Sequence, residues 1–279
     1  MTGWSDWTAA DTVAEYRVPV EGDDKYSRGV VGILTGSAEY PGAAVLGVEG
    51  ASRTGIGMVR YLGDAGAARF VLERRPEAVT ADGRVQAWLI GSGMDRSARS
   101  PELRAQIDQA LGQDLPVVLD AGALDLAGSS AGPAVLTPHH GELATLLSAR
   151  GVDVDRPTIA AAPEEWATRA AELLGCSVLL KGSTTHVALP GGGGYRVQAG
   201  PPWLATAGSG DVLGGILGAL AASRSPEILA DPDRLARVAA AAAFLHGRAG
   251  ERASSGGPLA ALDIAEALPA TIASLLADS

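Results

Sequence analysis

The residues best suited to chemistry stand together in one stretch, Ala205-Thr-Ala-Gly-Ser-Gly-Asp-Val-Leu213, directly ahead of an apolar, glycine-rich segment of helical character. Gly208 and Gly210 let the backbone turn sharply and bring unpaired N–H groups close to a ligand, and a helix N-terminus adds positive potential. The stretch therefore reads as an anion site. Asp211 falls in the first helical turn, where a carboxylate either caps the helix or faces the bound anion. Lys181, in Leu-Leu-Lys-Gly-Ser-Thr-Thr185, ends an apolar run and precedes glycine and hydroxyl residues, a setting suited to phosphate. Lys181 and Lys25 are the only two lysines beside twenty arginines. Where positive charge is generally supplied by arginine, a lysine is expected where a compact, flexible ammonium is needed. His139, in Leu136-Thr-Pro-His-His-Gly-Glu142, also follows an apolar run, where it faces either a pocket or water. His140, His186 and His246 read as structural.

Short apolar runs at 29–36, 69–72, 87–91, 117–120, 134–136 and 178–181 read as buried strands. Helical patterns lie at 41–62, 101–111, 142–149 and 163–174, and three closing helices are expected at 212–222, 232–252 and 260–276. The glycines at 191–194 mark a hairpin tip between 185–189 and 195–198. Alternation of this kind predicts an α/β fold with a mainly parallel sheet covered on both faces, its ligand loops at the carboxyl ends of the strands. Gly36, Gly91 with Gly93, Asp120, Pro138 with His139, and Lys181 with Gly182 all follow predicted strands. Residues 1–24, with Trp4, Trp7, Val13 and Tyr16, suggest a short amphipathic helix and an arm on a single domain at 25–279.

Composition narrows the function. A net charge of -10 and a pI near 4.9 argue against a nucleic-acid or anionic-membrane partner. The lone Cys176 has no internal disulfide partner and reads as a buried small hydrophobe. No apolar run reaches the roughly 18 residues of a membrane span, and no basic-then-apolar leader opens the chain, so a cytoplasmic protein is expected. No P-loop is present, and no Gly-x-Gly-x-x-Gly follows the first strand. The one Gly-x-Ser-x-Gly match, at 128–132, precedes a proline and a strand rather than the helix a nucleophile elbow requires. The histidines lack metal-site spacing, and the metal ligands stay unassigned.

Four ordered motifs now form a set: Pro41-Gly-Ala-Ala44, Leu136-Thr-Pro-His139 with Gly141 and Glu142, Lys181-Gly182 with Thr185, and Ala205-Thr206 with Gly208-Ser-Gly-Asp-Val-Leu213. Together they resemble the dehydratases that repair hydrated NADH and NADPH, which have a ribokinase-like, three-layer α/β/α fold. The likeness runs from about Lys25 to the Ala-Leu-Pro segment at 267–269. Two local departures stand out: Asp120-Ala-Gly-Ala-Leu-Asp125 replaces the family's Asp-Ala-Asp-x-Leu-Asn, and Asp24-Lys25-Tyr26 replaces its His-Lys-Gly.

The resemblance implies an ADP-dependent hydro-lyase, acting on the S form of NADHX or NADPHX and cleaving ADP to AMP and phosphate. It implies Asp211 as the base, Ala207, Gly208, Ser209 and Gly210 as the anion hole, and Lys181, Gly182, Ser183, Thr184, Thr185 and Gly210 as nucleotide contacts. Ala44, Gly93, His139 and Asp211 would line the hydrate site. It further implies Mg2+ with the phosphates, a homo-oligomer (a tetramer by family analogy) and a separate epimerase in the same pathway, no fused epimerase domain being expected here. The small-residue helix from Pro41 offers a candidate contact face between subunits. A same-fold thiazole or hydroxymethylpyrimidine kinase, and a non-catalytic nucleotide sensor, are the alternatives. The residues themselves do not choose ADP over ATP.

Overall fold

The computed structural model describes residues 3–198 and 200–278; Met1 and Thr2 of the expected arm, together with Ala199 and Ser279, lie outside them. In chain order the strands are β1 (Trp4–Asp6), β2 (Val30–Leu34), β3 (Met58–Tyr61), β4 (Ala87–Ile90), β5 (Val117–Leu119), β6 (Ala134–Leu136), β7 (Ser177–Leu180), β8 (Thr184–Ala188) and β9 (Gly194–Gln198). The helices are α1 (Ala9–Glu15), α2 (Pro41–Arg53), α3 (Ala65–Arg74), α4 (Pro101–Leu111), α5 (His140–Ser148), α6 (Arg156–Ala161), α7 (Pro163–Leu174), α8 (Ser209–Ser223), α9 (Ser225–Ala230), α10 (Arg234–Ser254) and α11 (Ala261–Ala277).

The nine strands form one sheet in the order β1-β9-β8-β7-β6-β5-β4-β2-β3. Strands β2 to β7 are joined in parallel, β2 lying between β3 and β4, and β8 is antiparallel to both neighbours. Side chains alternate between the faces as the pleat demands. Val31, Ile33 and Leu89 join the core beneath α2, α3, α8, α10 and α11, whereas Val30, Leu34, Trp88 and Ile90 join the core beneath α4, α5, α6 and α7. Both faces are thus buried, which is why the strands read as continuous apolar runs.

Three differences from the sequence reading have physical causes. The run at 69–72 is not a strand but lies inside α3. Asp64 caps that helix by accepting from Ala67 N–H at 2.9 Å, and Ala67 and Val71, one helical turn apart, are buried while Phe70 and Leu72 face out. The helix expected to reach residue 62 stops at Arg53, where Thr54 returns its hydroxyl to the Gly50 carbonyl at 2.7 Å and Gly55 turns at φ +93°. The chain then enters β3. Finally, Trp4–Asp6 is a strand paired in parallel with β9, and α1 is correspondingly shorter than the expected amphipathic segment.

The small-residue face of α2, expected as a contact between subunits, is occupied within the chain. A Cβ on Gly50 would lie 2.5 Å from the Val212 carbonyl oxygen, and one on Gly215 would lie 2.1 Å from the Gly47 carbonyl oxygen. Helices α2 and α8 therefore touch backbone to backbone, which fixes the start of α8 over the carboxyl edge of the sheet.

Candidate active site

The carboxyl ends of β4, β5, β6 and β7 meet the N-terminus of α8 around one buried carboxylate. Asp120, 3% exposed, follows β5. Its Oδ2 accepts from Ser92 Oγ at 2.8 Å, and its Oδ1 accepts from Thr137 Oγ1 at 2.6 Å and from Lys181 Nζ at 3.0 Å. Burial works to raise the Asp120 carboxyl, but the Lys181 charge and the three hydrogen bonds outweigh it and hold the group below its ordinary range. Burial likewise works against the Lys181 ammonium, and the charges of Asp120, Glu142 and Asp211 more than compensate, so it is held protonated. Glu142 Oε2 lies 3.8 Å from Nζ, and a Cβ on Gly210 would lie 3.5 Å from it. One ammonium thus reaches from β5 to the turn that opens α8.

Asp211 is half-buried in the first turn of α8. The residue at the helix cap is Gly208, and no side chain caps this end. The capping alternative for Asp211 is therefore not realised. Burial first, and the Asp120 charge second, push its carboxyl up to about 6, against the opposing pull of Lys181 and the Ser92 hydroxyl. Two neighbouring carboxylates are driven apart: Asp120 stays ionised, while Asp211 is poised to exchange a proton near neutrality.

The turn before α8 is set by Gly208 at φ +88° and by a buried histidine. His246 Nε2 lies 3.0 Å from the Ser209 carbonyl oxygen and 3.1 Å from Ser209 Oγ. Burial pushes the His246 ring down to about 4, so it is neutral at ordinary pH. Ser209 is consequently buried and held toward α10, while Ala207 is exposed and Gly208 and Gly210 are part-exposed beside the turn. His246, read from sequence as structural, anchors the expected anion hole.

The other expected residues fall unevenly. His139 caps α5: its Nδ1 accepts from Gly141 and Glu142 N–H, both at 3.0 Å, and its own N–H donates to Glu142 Oε2 at 2.7 Å. Because Nδ1 is an acceptor, the ring proton sits on Nε2, on a side chain that is 60% exposed. The β6–β7 pairing continues past both strands, with Lys181 N–H donating to the Pro138 carbonyl at 2.8 Å, and this sets His139 beside Lys181. Gly182 and Ser183 form the turn after Lys181; Thr184 and Thr185 already belong to β8, and Thr185 is only 4% exposed. Gly93 and Ala44 both border Gly36: the Gly93 Cβ position lies 3.1 Å from Gly36 Cα, and the Gly36 Cβ position 2.9 Å from Ala44 Cβ. Ala44 is fully buried and presents no surface of its own.

Ser92, Thr137 and Glu142 complete the centre; Thr137 and Glu142 belong to the Leu136–Glu142 motif, whereas no sequence signal marks Ser92. Lys25 lies at the opposite edge of the sheet, ahead of β2, with its ammonium 5.2 Å from the Tyr26 ring. Among the described residues no cluster of three or more His, Cys, Asp or Glu is arranged to hold a metal ion. Both Asp120 oxygens are already engaged, so the side chains present do not fit a protein-built metal cage.

Residues 31–270 match the family model described as NAD(P)H-hydrate dehydratase. The chain is 45% identical over 230 residues to the bifunctional NAD(P)H-hydrate repair enzyme Nnr of Mycobacterium tuberculosis, a match covering 78% of this chain and 46% of that protein. It thus spans about half the length of the bifunctional relatives it matches. The ADP-dependent (S)-NAD(P)H-hydrate dehydratase of Xanthomonas campestris is 35% identical over 228 residues, covering 74% of this chain and 76% of that one. Among solved structures, the ADP/ATP-dependent NAD(P)H-hydrate dehydratase of Bacillus subtilis, co-crystallized with ATP/Mg2+, superposes with a TM-score of 0.83 at 26% identity, covering 97% of this chain and 98% of that one. The fold is the ribokinase-like α/β/α sandwich.

Proposed function

Since the chain belongs to the NAD(P)H-hydrate dehydratase family, we propose that it restores NADH and NADPH from the S form of their hydrates, using ADP as co-substrate. The observation that carries this reading is the divergence of Asp120 and Asp211 across Lys181, one carboxylate held ionised and the other raised to about 6.

Hydroxide is a poor leaving group and phosphate a good one, so the hydrate's hydroxyl is first phosphorylated. Asp211 takes the hydroxyl proton as the oxygen attacks the terminal phosphorus of ADP, the phosphoanhydride bond breaks, and AMP departs. The ring nitrogen's electron pair then expels phosphate as the carbon–oxygen bond breaks, and loss of a proton from the adjacent carbon restores the double bond. Ala207 to Gly210 receive the transferred phosphoryl at the helix N-terminus. Lys181 to Thr185 and Gly210 hold the nucleotide, with Lys181 supplying a positive charge that Asp120 and Glu142 fix in place. Ala44 supports, and Gly93 and His139 line, the hydrate site.

Mg2+ would arrive on the phosphates of the nucleotide rather than in a protein cage, as is usual for this ion. A cytoplasmic homo-oligomer, a tetramer by family analogy, and a supply of S hydrate from a separate epimerase complete the reading. Among the described residues no helix is long and apolar enough to cross a membrane. The test is incubation of purified hydrate with the protein and ADP or ATP side by side. Return of the dihydronicotinamide absorbance with stoichiometric AMP from ADP is expected; no return with either nucleotide overturns the reading.

A further inference from the structure

Three residues past Gly93, the loop after β4 enters a short helical turn at Arg96–Ala98 and then begins α4. Arg96, Arg99 and Arg104 converge there on a depression of about 350 Å³ that Ile107, Asp108 and Asp125 also line, a size in the range of small-ligand pockets. Arg99 is 8% exposed and gives Nη1 to Asp125 Oδ2 at 3.1 Å and Nη2 to the Gly122 carbonyl, yet its Nε is buried without a hydrogen-bond partner. Arg96 Nε lies 3.2 Å from Asp125, and its side chain is 73% exposed. Arg104 is exposed and forms no ion pair among the described residues. Three guanidinium groups and the carboxylates of Asp108 and Asp125 line the depression, and the charge of Arg99 also acts on Asp95.

The loops that carry the depression also border the centre described above. Ser92, in the loop that leads to Arg96, bonds to Asp120, in the segment that leads to Asp125, at 2.8 Å, and a Cβ on Gly122 would lie 2.1 Å from the Met94 carbonyl oxygen. Arg96 is three residues from Gly93, about 11 Å at full extension. The nucleotide loop at Lys181 follows β7, two strands beyond β5, so the arginines sit on the hydrate's side rather than on that of ADP.

We propose that Arg96, Arg99 and Arg104 form a subsite for a phosphate group of the dinucleotide, held at a distance from the reacting ring. Guanidinium forks suit this ligand in geometry and charge. The assignment of a dinucleotide rests on the dehydratase reading, so the primary readout is binding rather than turnover. NADH, NADPH and ADP are titrated calorimetrically into the parent chain, R96A/R104A and R104K; Arg99 is left intact because it secures Asp125. The double variant is expected to bind NADPH about five- to tenfold more weakly, R104K to fall between it and the parent because the charge is kept and the fork lost, and ADP to bind unchanged. Weakening of NADPH alone assigns the 2′-phosphate; equal weakening of NADH assigns the bridging pyrophosphate. Unchanged affinity for both dinucleotides, or a loss confined to ADP, overturns the proposal. Absence of hydrate repair by the parent, with the binding loss intact, counts against the dehydratase reading and leaves the subsite standing.

Discussion

Lys181 and Asp120 form a buried ion pair at 3.0 Å that joins the ends of two strands separated by a third. Neither member is free to serve as the proton acceptor: Asp120 is held ionised by three donors, and Lys181 is held protonated by the carboxylates around it. Of Asp120, Lys181 and Asp211, it is Asp211 whose carboxyl is raised to about 6 and so exchanges a proton near neutrality.

Asp211→Asn keeps the shape of the turn and removes the proposed base. Turnover is expected to fall by about 100- to 10,000-fold while ADP affinity stays within a few-fold. Single-turnover measurement of AMP release checks this, and a variant retaining more than a tenth of parental activity would exclude Asp211 as the base.

The acid limb of kcat/KM should follow Asp211. Activity is expected to rise with pH through about 6 as this carboxyl loses its proton. The Asp120 charge contributes to the raised value, so Asp120→Asn should move the limb to lower pH, partway because burial is the larger cause. A limb that stays put in D120N would contradict the coupling.

The same shift has a consequence for stability. A carboxyl raised in the folded state favours folding below its unfolded range, and that contribution is lost as pH rises through the folded value of about 6. Asp211→Asn should therefore be more stable than the parent at pH 7, by on the order of 1–3 kcal/mol, and the gap should close toward pH 4. Denaturant midpoints measured at both pH values provide the test.

Lys181→Met strands a buried charge on Asp120. It is expected to cost about 3–5 kcal/mol at neutral pH, with much of the loss recovered in the Lys181→Met/Asp120→Asn double variant. Additive losses in the double-mutant cycle would show that the pair is not coupled.

Gly208→Ala places a side chain at φ +88° and a Cβ 2.4 Å from Leu46 Cδ1. Leu46 has a flexible end, so backbone strain dominates and a loss of about 1–2 kcal/mol is expected. Because the strain falls on the turn proposed to receive the phosphoryl group, kcat should drop along with the melting temperature; unchanged kcat would separate the turn from the chemistry.

Strands β2 and β4 to β7, and the loops that end them, were legible because both faces of the sheet are buried there, which leaves short apolar runs closed by glycine or a polar residue; β1 and β3, taken into helical segments, were not. Lys181 and His139 could be found in the same way, as polar residues at the ends of such runs, and Asp211 by the glycines that precede an apolar helical segment. Asp120 was visible, but its duty was not, since its partners Ser92 and Thr137 are brought together only by the pairing of β4, β5 and β6. His246 was opaque for the same reason: it contacts Ser209 from 37 positions away. The error at 69–72 arose where two exposed apolar side chains, Phe70 and Leu72, disguised a helical period.

The pairing of β1 with β9 also constrains the order of assembly. Trp4 lies opposite Gly194 and Asp6 opposite Arg196, so β1 is synthesised well before the strand it pairs with. Contacts so distant in sequence form slowly and usually after local ones. On a ribosome, the segment carrying Trp4 and Trp7 must wait, unpaired and adhesive, until the β8–β9 hairpin has emerged. Trp7, which ends up edge-on to Tyr195 at 4.9 Å, is then a built-in reporter of the last seam to close.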